Sequence, residues 1–309
     1  MKKIKIEAPA TVANLVCGFD ILGLAIEQPQ DLMWMELLDT PGLQIEHIDG
    51  YNLPTAPAQN VAGAALLALL EAYPHPLGFK VTIDKQIKPG SGLGSSAASA
   101  AGAVAGANYL LNNHFSKQEL VQFAMHGEKV ASGVKHADNI TPCLYGGVTL
   151  IRSIHPLDIV PLNAPPLNVT VVHPQIEVRT SDARQILRKE VLLKDAIKQW
   201  GNIAGLVAGF EQKDYALIGR SLEDVIIEPV RSILIPGFDA VKQRCQAAGA
   251  LGGGISGSGP SIFMLSKDVD TANAVGAIMQ EIYTGLNIDH KVYITTLNHT
   301  GVKITEVGV

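Results

Sequence analysis

Pro89-Gly-Ser-Gly-Leu-Gly-Ser-Ser-Ala-Ala-Ser99 is the stretch on which the reading of this chain turns. Gly90, Gly92 and Gly94 alternate with Ser91 and Leu93. Ser95 and Ser96 then lead into an alanine-dominated run, from Ala97 and Ala98 past Ser99 to Ala107. Glycine adopts positive φ without strain, which lets successive N–H groups point into one concavity. The alanine run predicts a helix, and a helix N-terminus carries unsatisfied N–H groups and a partial charge of about +0.5. A glycine loop that opens a helix binds phosphate without a cationic side chain. Ser95 or Ser96 is placed to cap that helix, and a serine hydroxyl is also a suitable oxygen ligand for Mg2+. The plain alternative is a Gly/Ser loop ahead of a core helix.

Two other phosphate motifs are excluded. The Walker pattern needs Lys after its last glycine, and Gly94 is followed by Ser95. The dinucleotide pattern G-x-G-x-x-G fails from Gly90, because position 95 is serine. It matches at Gly252, Gly254 and Gly257, but those glycines follow a helix-like stretch and lead into the strand-like Pro260–Leu265. A dinucleotide loop runs from strand into helix.

Composition narrows the class. The 309 residues are 47% hydrophobic, enough for one large or two ordinary domains. A net charge of −5 argues against an electrostatic nucleic-acid binder. Cys17, Cys143 and Cys245 are odd in number and widely spaced, which suits a reducing cytoplasm rather than a disulfide scaffold. The opening Met1-Lys-Lys-Ile-Lys-Ile-Glu lacks an apolar leader segment, and no apolar run reaches membrane-spanning length.

Periodicity predicts two α+β units, residues 1–160 and 161–309. In the first, strands are expected at Ile4–Glu7, Leu32–Leu38, Phe79–Ile83 and Tyr145–Ile151, with helices over Asn60–Ala72, after the glycine loop, and from the capping box Ser116-Lys-Gln-Glu119 to about Val130. The Pro-bearing stretch His155–Pro166 reads as the linker. In the second, a strand at Leu167–His173 precedes helices near 182–190, 193–211, 213–225 and 237–248; a hairpin at Gly254–Leu265, a helix near 270–284 and a strand at His290–Thr296 follow. This order suggests a split βαβ arrangement.

Besides the glycine loop, four clusters can carry chemistry. Asn14 and Asp20 lie in a glycine-containing turn, where they either shape the turn or hold a ligand hydroxyl or amine. Glu128 falls late on the capping-box helix, and His136, Asp138 and Asn139 follow in the next loop. One carboxylate there can hold Mg2+ while another contacts substrate; the spacing is not that of a zinc site. Thr180, Arg184 and Arg231 form the third cluster, since two arginines either sit solvated on the surface or clamp a carboxylate. The fourth is the glycine-rich Gly249–Ser261, which implies close backbone approach to a ligand or to the first glycine loop.

Pro89–Ala98 resembles the central motif of the GHMP small-molecule kinases. Ala8-Pro-Ala-Thr through Gly18-Phe-Asp20 and Ser256-Gly-Ser-Gly-Pro-Ser261 resemble the flanking motifs, so three motifs in order span nearly the whole chain. Pro9-Ala-Thr-Val-Ala-Asn-Leu15, Gly18-Phe-Asp-Ile-Leu-Gly23, Glu128 with Ser132-Gly and His136-Ala-Asp-Asn139, Arg179–Arg184 and Glu228–Gly237 are similar to the homoserine kinases within that family. Val12 stands where serine is usual, and Ala137 where proline is expected; neither change removes a reactive group.

The resemblance implies a ribosomal-protein-S5-domain-2-like N-terminal ATP-binding unit and a ferredoxin-like C-terminal unit. It implies the reaction ATP + L-homoserine → ADP + O-phospho-L-homoserine, a step toward threonine, in a cytoplasmic homodimer. By the same resemblance Pro89–Ser99 cradles the ATP phosphates, Asn60 lies near adenine, and Ser96 and Glu128 hold Mg2+. Asn14, Asp20, His136, Asp138, Thr180, Arg184 and Arg231 line the amino-acid pocket. Asp138, Asn139 and Arg184 are the candidate catalytic residues. Asp138 either takes the hydroxyl proton or only binds substrate, with Asn139 orienting the hydroxyl. The other readings are a kinase of another small alcohol, a non-catalytic ligand sensor, and an α+β protein whose glycines only serve packing.

Overall fold

Lys3-Ile-Lys-Ile-Glu-Ala alternates charged and apolar residues, and Ile4, Ile6 and Ala8 are fully buried. That pattern opens strand β1 (Lys3–Ala13) of the computed structural model, which describes residues 3–178 and 180–307, without the side chains of 180–182. The chain continues as β2 (Leu22–Leu38), β3 (Gly42–His47), α1 (Val61–Ala72), β4 (Gly78–Asp84), α2 (Ser95–Leu110), α3 (Lys117–Ser132), α4 (Ile140–Tyr145), β5 (Val148–Ile154) and β6 (Leu157–Leu162). Then come β7 (Asn168–Pro174), α5 (Thr180–Gln185), α6 (Leu193–Gln212), α7 (Tyr215–Ser221), α8 (Glu228–Arg231), α9 (Phe238–Ala247), β8 (Gly252–Ile255), β9 (Ile262–Ser266), α10 (Val269–Gly285), β10 (His290–Thr296) and β11 (Lys303–Val307).

These elements build an α+β molecule on two sheets. The first runs β11-β1-β2-β4-β3, with β5 on the near half of β2 and β6 beyond β5. The second runs β10-β7-β9-β8 and is antiparallel. Strand β2 is long enough to serve two partners: Leu22–Leu24 pair with β5, and Leu32–Leu38 pair with β4. The division expected between 160 and 161 falls within β6, and β11 returns from the far end of the chain to pair with β1.

Helix α2 explains its own composition. Nearly all of it is buried, against β1, β2 and the helices beside it. A Cβ on Gly106 would sit 2.2 Å from Ile6 Cδ1, and one on Gly102 2.8 Å from Met33 Cε. Small residues therefore let this helix lie against the sheet, and its N-terminus is held rigidly beneath the glycine loop. In the second sheet Val169 and Val171 face the main core, while Val172 joins the cluster with α9 and α10. Burial on both faces turns β7 into a continuous apolar run.

Several local expectations change. The presumed linker contains β6, which pairs with β5 despite Pro161; among the described residues β6 has no further strand partner, and an edge strand tolerates proline. The helices expected near 182–190 and 213–225 shorten to α5 and α7. The capping box is formed: the Ser116 side chain accepts from Glu119 N while Glu119 accepts from Ser116 N.

Candidate active site

The glycine loop leaves β4, and Gly90, Gly92 and Gly94 all have positive φ, at 75°, 79° and 67°. Gly94 is the N-cap of α2, in place of the serine cap expected from the sequence, and no side chain caps that terminus. The serine hydroxyls go elsewhere: Ser95 Oγ donates to Ile87 O at 2.7 Å, and Ser96 Oγ donates to Glu128 Oε2 at 2.8 Å. A helix end without a side-chain cap, flanked by left-handed glycines, is an anion site. The second glycine-rich segment straps it from above. Ser256 Oγ donates to Gly92 O at 2.7 Å, and Ser261 N donates to Ser91 O at 3.3 Å.

One cavity of about 500 Å³ joins this loop to most of the sequence-identified residues. Asn14, Asp20, Asn60, Glu128, His136, Asp138, Asn139, Arg184 and Arg231 all line it, together with Pro89–Gly92, Gly94–Ser96 and Ser99. Leu93, Ala97 and Ala98 do not; their side chains are buried in the core behind the loop. The side chain of Thr180 lies outside the described residues.

The charged end is built on a strained turn. Asn14, Leu15 and Val16 are consecutive left-handed residues, with φ of 74°, 41° and 66°. Such conformations cost about 1–3 kcal/mol each and persist where the surroundings over-determine them. Here buried Leu15 and Val16 anchor the turn in the core. The turn aims Asn14, whose Nδ2 donates to Gly257 O at 2.9 Å and whose Oδ1 accepts from Asp20 N at 3.1 Å. Arg184 Nη2 lies 2.9 Å from both oxygens of Asp20, and His136 Nδ1 is 3.8 Å from Asp20 Oδ1. Burial lowers the His136 pKa, partly countered by Asp20. Arg231 is buried and donates to Ala183 O and Gly257 O at 2.9 and 3.2 Å. Both guanidinium groups lie over the Phe19 ring, at 4.9 Å for Arg231 and 5.6 Å for Arg184.

Carboxylates crowd the middle of the cavity. Asp138 is pushed up to about 7, first by burial and then by the charges of Asp20 and Glu128. Burial also raises Glu128, against the hydrogen bond from Ser96. A half-buried hydroxyl–carboxylate pair beside a phosphate loop supplies hard oxygen donors of the kind Mg2+ takes, alongside nucleotide phosphates. Asn139 Oδ1 accepts from Thr11 Oγ1 at 2.7 Å. This bond turns the amide's donors away from Thr11.

Sequence reasoning missed four residues here. Thr11 orients Asn139, and Phe19 stacks beneath both arginines. Lys85 is buried behind the loop, ion-paired with Asp31 and donating to Ser95 O and Ser99 Oγ at 2.7 and 2.9 Å. His47 lines the cavity beside Asn60. Phe19 was legible as the lone aromatic in the Asn14–Asp20 turn, whereas nothing in the sequence pattern places Lys85 under α2.

The model for the GHMP kinases N terminal domain matches residues 60–147, and that for the GHMP kinases C terminal region matches 206–285. The chain belongs to the GHMP kinase family. Among family relatives, a homoserine kinase of Chloroherpeton thalassium is 43% identical over 98% of this chain and 100% of its own length. One from Chlorobaculum tepidum is 45% identical over 92% of this chain and 91% of its own. The crystal structure of homoserine kinase from Cytophaga hutchinsonii superposes with a TM-score of 0.94, at 47% identity and with 98% and 97% of the two chains covered. As in other GHMP kinases, ATP is the co-substrate. Among the described residues no helix is long and apolar enough to cross a membrane.

Proposed function

We infer that this chain transfers the γ-phosphoryl group of ATP to the side-chain hydroxyl of L-homoserine, forming O-phospho-L-homoserine on the route from aspartate to threonine. The observation that carries the substrate is the charged end of the cavity. Arg184, paired with Asp20, lines with Arg231 and Asp138 a space continuous with the phosphate loop. Two arginines suit a carboxylate and two aspartates suit an ammonium, so this end complements an amino-acid zwitterion. A neutral sugar or a simple hydroxy acid would leave at least one charged pair without a counterpart.

In this reading the N-terminal unit, 1–160, holds ATP, and the C-terminal unit, 161–309, closes the amino-acid pocket with its arginines. The Pro89–Ser99 loop takes the phosphates through backbone N–H groups. Ser96 and Glu128 would hold Mg2+, and the chemistry such an ion supplies is charge neutralisation at the phosphates. Asp138 binds the substrate ammonium: a carboxylate crowded by Asp20 and Glu128 is relieved by a cationic partner. Asn139, oriented by Thr11, directs donors toward the reacting oxygens, and catalysis is mainly positioning and electrostatics. Three buried free cysteines fit a reducing cytoplasm. Exposed Leu192, Leu193, Ile197 and Trp200 offer an apolar face for a second copy in a homodimer.

A coupled ADP-release assay with Mg-ATP against L-homoserine, mevalonate, galactose and shikimate tests the assignment. Turnover that depends on homoserine alone is expected. Turnover with a different alcohol and none with homoserine overturns the substrate, and ATP binding without any turnover favours a sensor.

A further inference from the structure

Helix α6 buries a polar side chain where its pattern calls for an apolar one. Gln199, Leu206, Gly209 and Phe210 are its buried residues, and positions 199, 206 and 210 share one face at helical spacing. Leu206 and Phe210 pack in the main core, whereas Gln199, only 5% exposed, carries an amide. A buried amide costs free energy unless each end finds a partner, so a leucine would serve better if packing were the whole role. Both ends are satisfied. Nε2 donates to Cys17 O at 2.8 Å, and Oε1 accepts from Val225 N at 3.1 Å. A backbone carbonyl only accepts and a backbone N–H only donates, so the amide has one permitted orientation.

The two partners belong to the two segments that build the charged end of the cavity. Cys17 follows the three left-handed residues of the turn that carries Asn14 and Asp20, and Gly18 N closes that turn by donating to Asn14 O at 2.8 Å. Val225 opens the stretch that leads into α8 and Arg231. The N–H groups of Ile226, Ile227 and Glu228 are taken by the Asp224 side chain, at 2.8, 3.0 and 2.9 Å, so the start of α8 hangs on Asp224 and Gln199. On the cavity side the same two segments meet at Gly257 O, which accepts from Asn14 Nδ2 and Arg231 Nη1. Gln199 does not line the cavity and ties the segments together from behind. Lys198 and Asn202 on the same helix also hold this stretch, but both donate to Glu223. We propose that Gln199 is a positioning residue for the acceptor substrate: its amide sets the spacing between the turn of Asn14 and Asp20 and the segment of Arg231. The proposal rests on the amino-acid reading of this cavity given above. The phosphate loop lies outside the bridge, so the effect falls on one substrate.

The test is steady-state kinetics on the full chain, with homoserine and ATP varied in turn and a urea midpoint measured for each protein. Gln199→Met keeps the length of the side chain and removes both bonds. Gln199→Asn keeps the amide but is one methylene too short to hold both partners at once. Each should raise the homoserine KM about tenfold or more and leave the ATP KM within about threefold of wild type. Asn202→Ala loosens the same stretch without touching the turn, and should leave the homoserine KM within about twofold. If Gln199→Met does not fold, Gln199→Asn carries the test, since its amide can keep one partner. A lower urea midpoint with an unchanged homoserine KM makes Gln199 an ordinary core residue and overturns the proposal. A parallel rise of both KM values, or an Asn202→Ala protein as impaired as Gln199→Met, overturns it too. Wild type that turns over no homoserine defeats the amino-acid reading instead, and the KM of whichever acceptor it does use then takes the place of homoserine in the comparison.

Discussion

Replacing Asp138 by asparagine should stabilise the ligand-free protein, and the gain should grow with pH. Asp138 is buried, and its pKa stands near 7 in the folded chain against an ordinary 3.8. Below pH 3.8 the carboxyl is protonated in both the folded and the unfolded chain, so nothing is lost. Between 3.8 and about 7 the unfolded chain ionises while the folded one keeps its proton. Folding then becomes less favourable by about 1.4 kcal/mol per pH unit, and the penalty levels off above pH 7 at about 4 kcal/mol. That is a large share of the roughly 5–15 kcal/mol that stabilises an ordinary domain.

Asparagine keeps the shape and does not titrate. Unfolding of both proteins in urea, in EDTA and without nucleotide, would be followed from pH 4.5 to pH 8.5. The difference in stability should widen in favour of Asp138→Asn by a few kcal/mol up to pH 7 and then stay level. Magnesium nucleotide and homoserine bring positive charge to the crowded carboxylates, so they should stabilise wild type more than the variant. In turnover, Asp138→Asn should raise the homoserine KM strongly. A stability difference that is flat with pH, or that moves toward wild type as pH rises, refutes the electrostatic argument. A collapse of kcat with near-normal homoserine affinity would instead make Asp138 the base that takes the hydroxyl proton.

Two further outcomes are expected. Arg184→Met and Arg231→Met should each raise the homoserine KM by about tenfold to a hundredfold, the loss of a charged hydrogen-bonding partner, with the ATP KM within about twofold of wild type; steady-state kinetics with each substrate varied in turn checks this. Gly94→Val should abolish ATP binding in calorimetry and lower the urea midpoint, because its Cβ would meet Thr11 Oγ1 at 2.0 Å at a φ of +67°, whereas Gly90→Ala meets nothing within 4 Å and should cost only the strain of its own backbone.

Much of the site was legible because its chemistry is carried by backbone-driven motifs. Alternating glycines followed by an alanine run specify a loop and a closely packed helix, and both are present. The capping box of α3 fixed where Glu128 would fall on the helix, one turn before Gly133 ends it. What escaped depends on contacts between distant segments. Pro161 disguised β6 as a linker because its missing N–H matters only if a further strand is there to use it. Lys303–Val307 has almost no buried face, so its five residues carry no period that would mark β11. Lys85 and His47 look like ordinary surface residues in sequence, and only the meeting of β3, β4 and α2 buries them. The serine cap of α2 failed for a related reason: Ile87 O and Glu128 take the two hydroxyls, and the terminus keeps no side-chain cap.

The site concentrates local costs that the rest of the chain must offset. Three consecutive left-handed residues hold Asn14, a buried aspartate is pushed toward neutrality, and the N-terminus of α2 has no side-chain cap. On the proposed assignment two of these would be relieved by the substrates: the amino-acid ammonium for Asp138 and the phosphates for the helix end. The Asp20–Arg184 pair completes the logic. It joins two groups matched to the two charges of an amino acid. A zwitterion entering the pocket exchanges that one internal pair for two new ones, and a ligand with a single charge leaves a partner behind. Selectivity for an amino acid therefore follows from the paired charges themselves, and removing either member alone should weaken homoserine binding without making the pocket accept a simple alcohol.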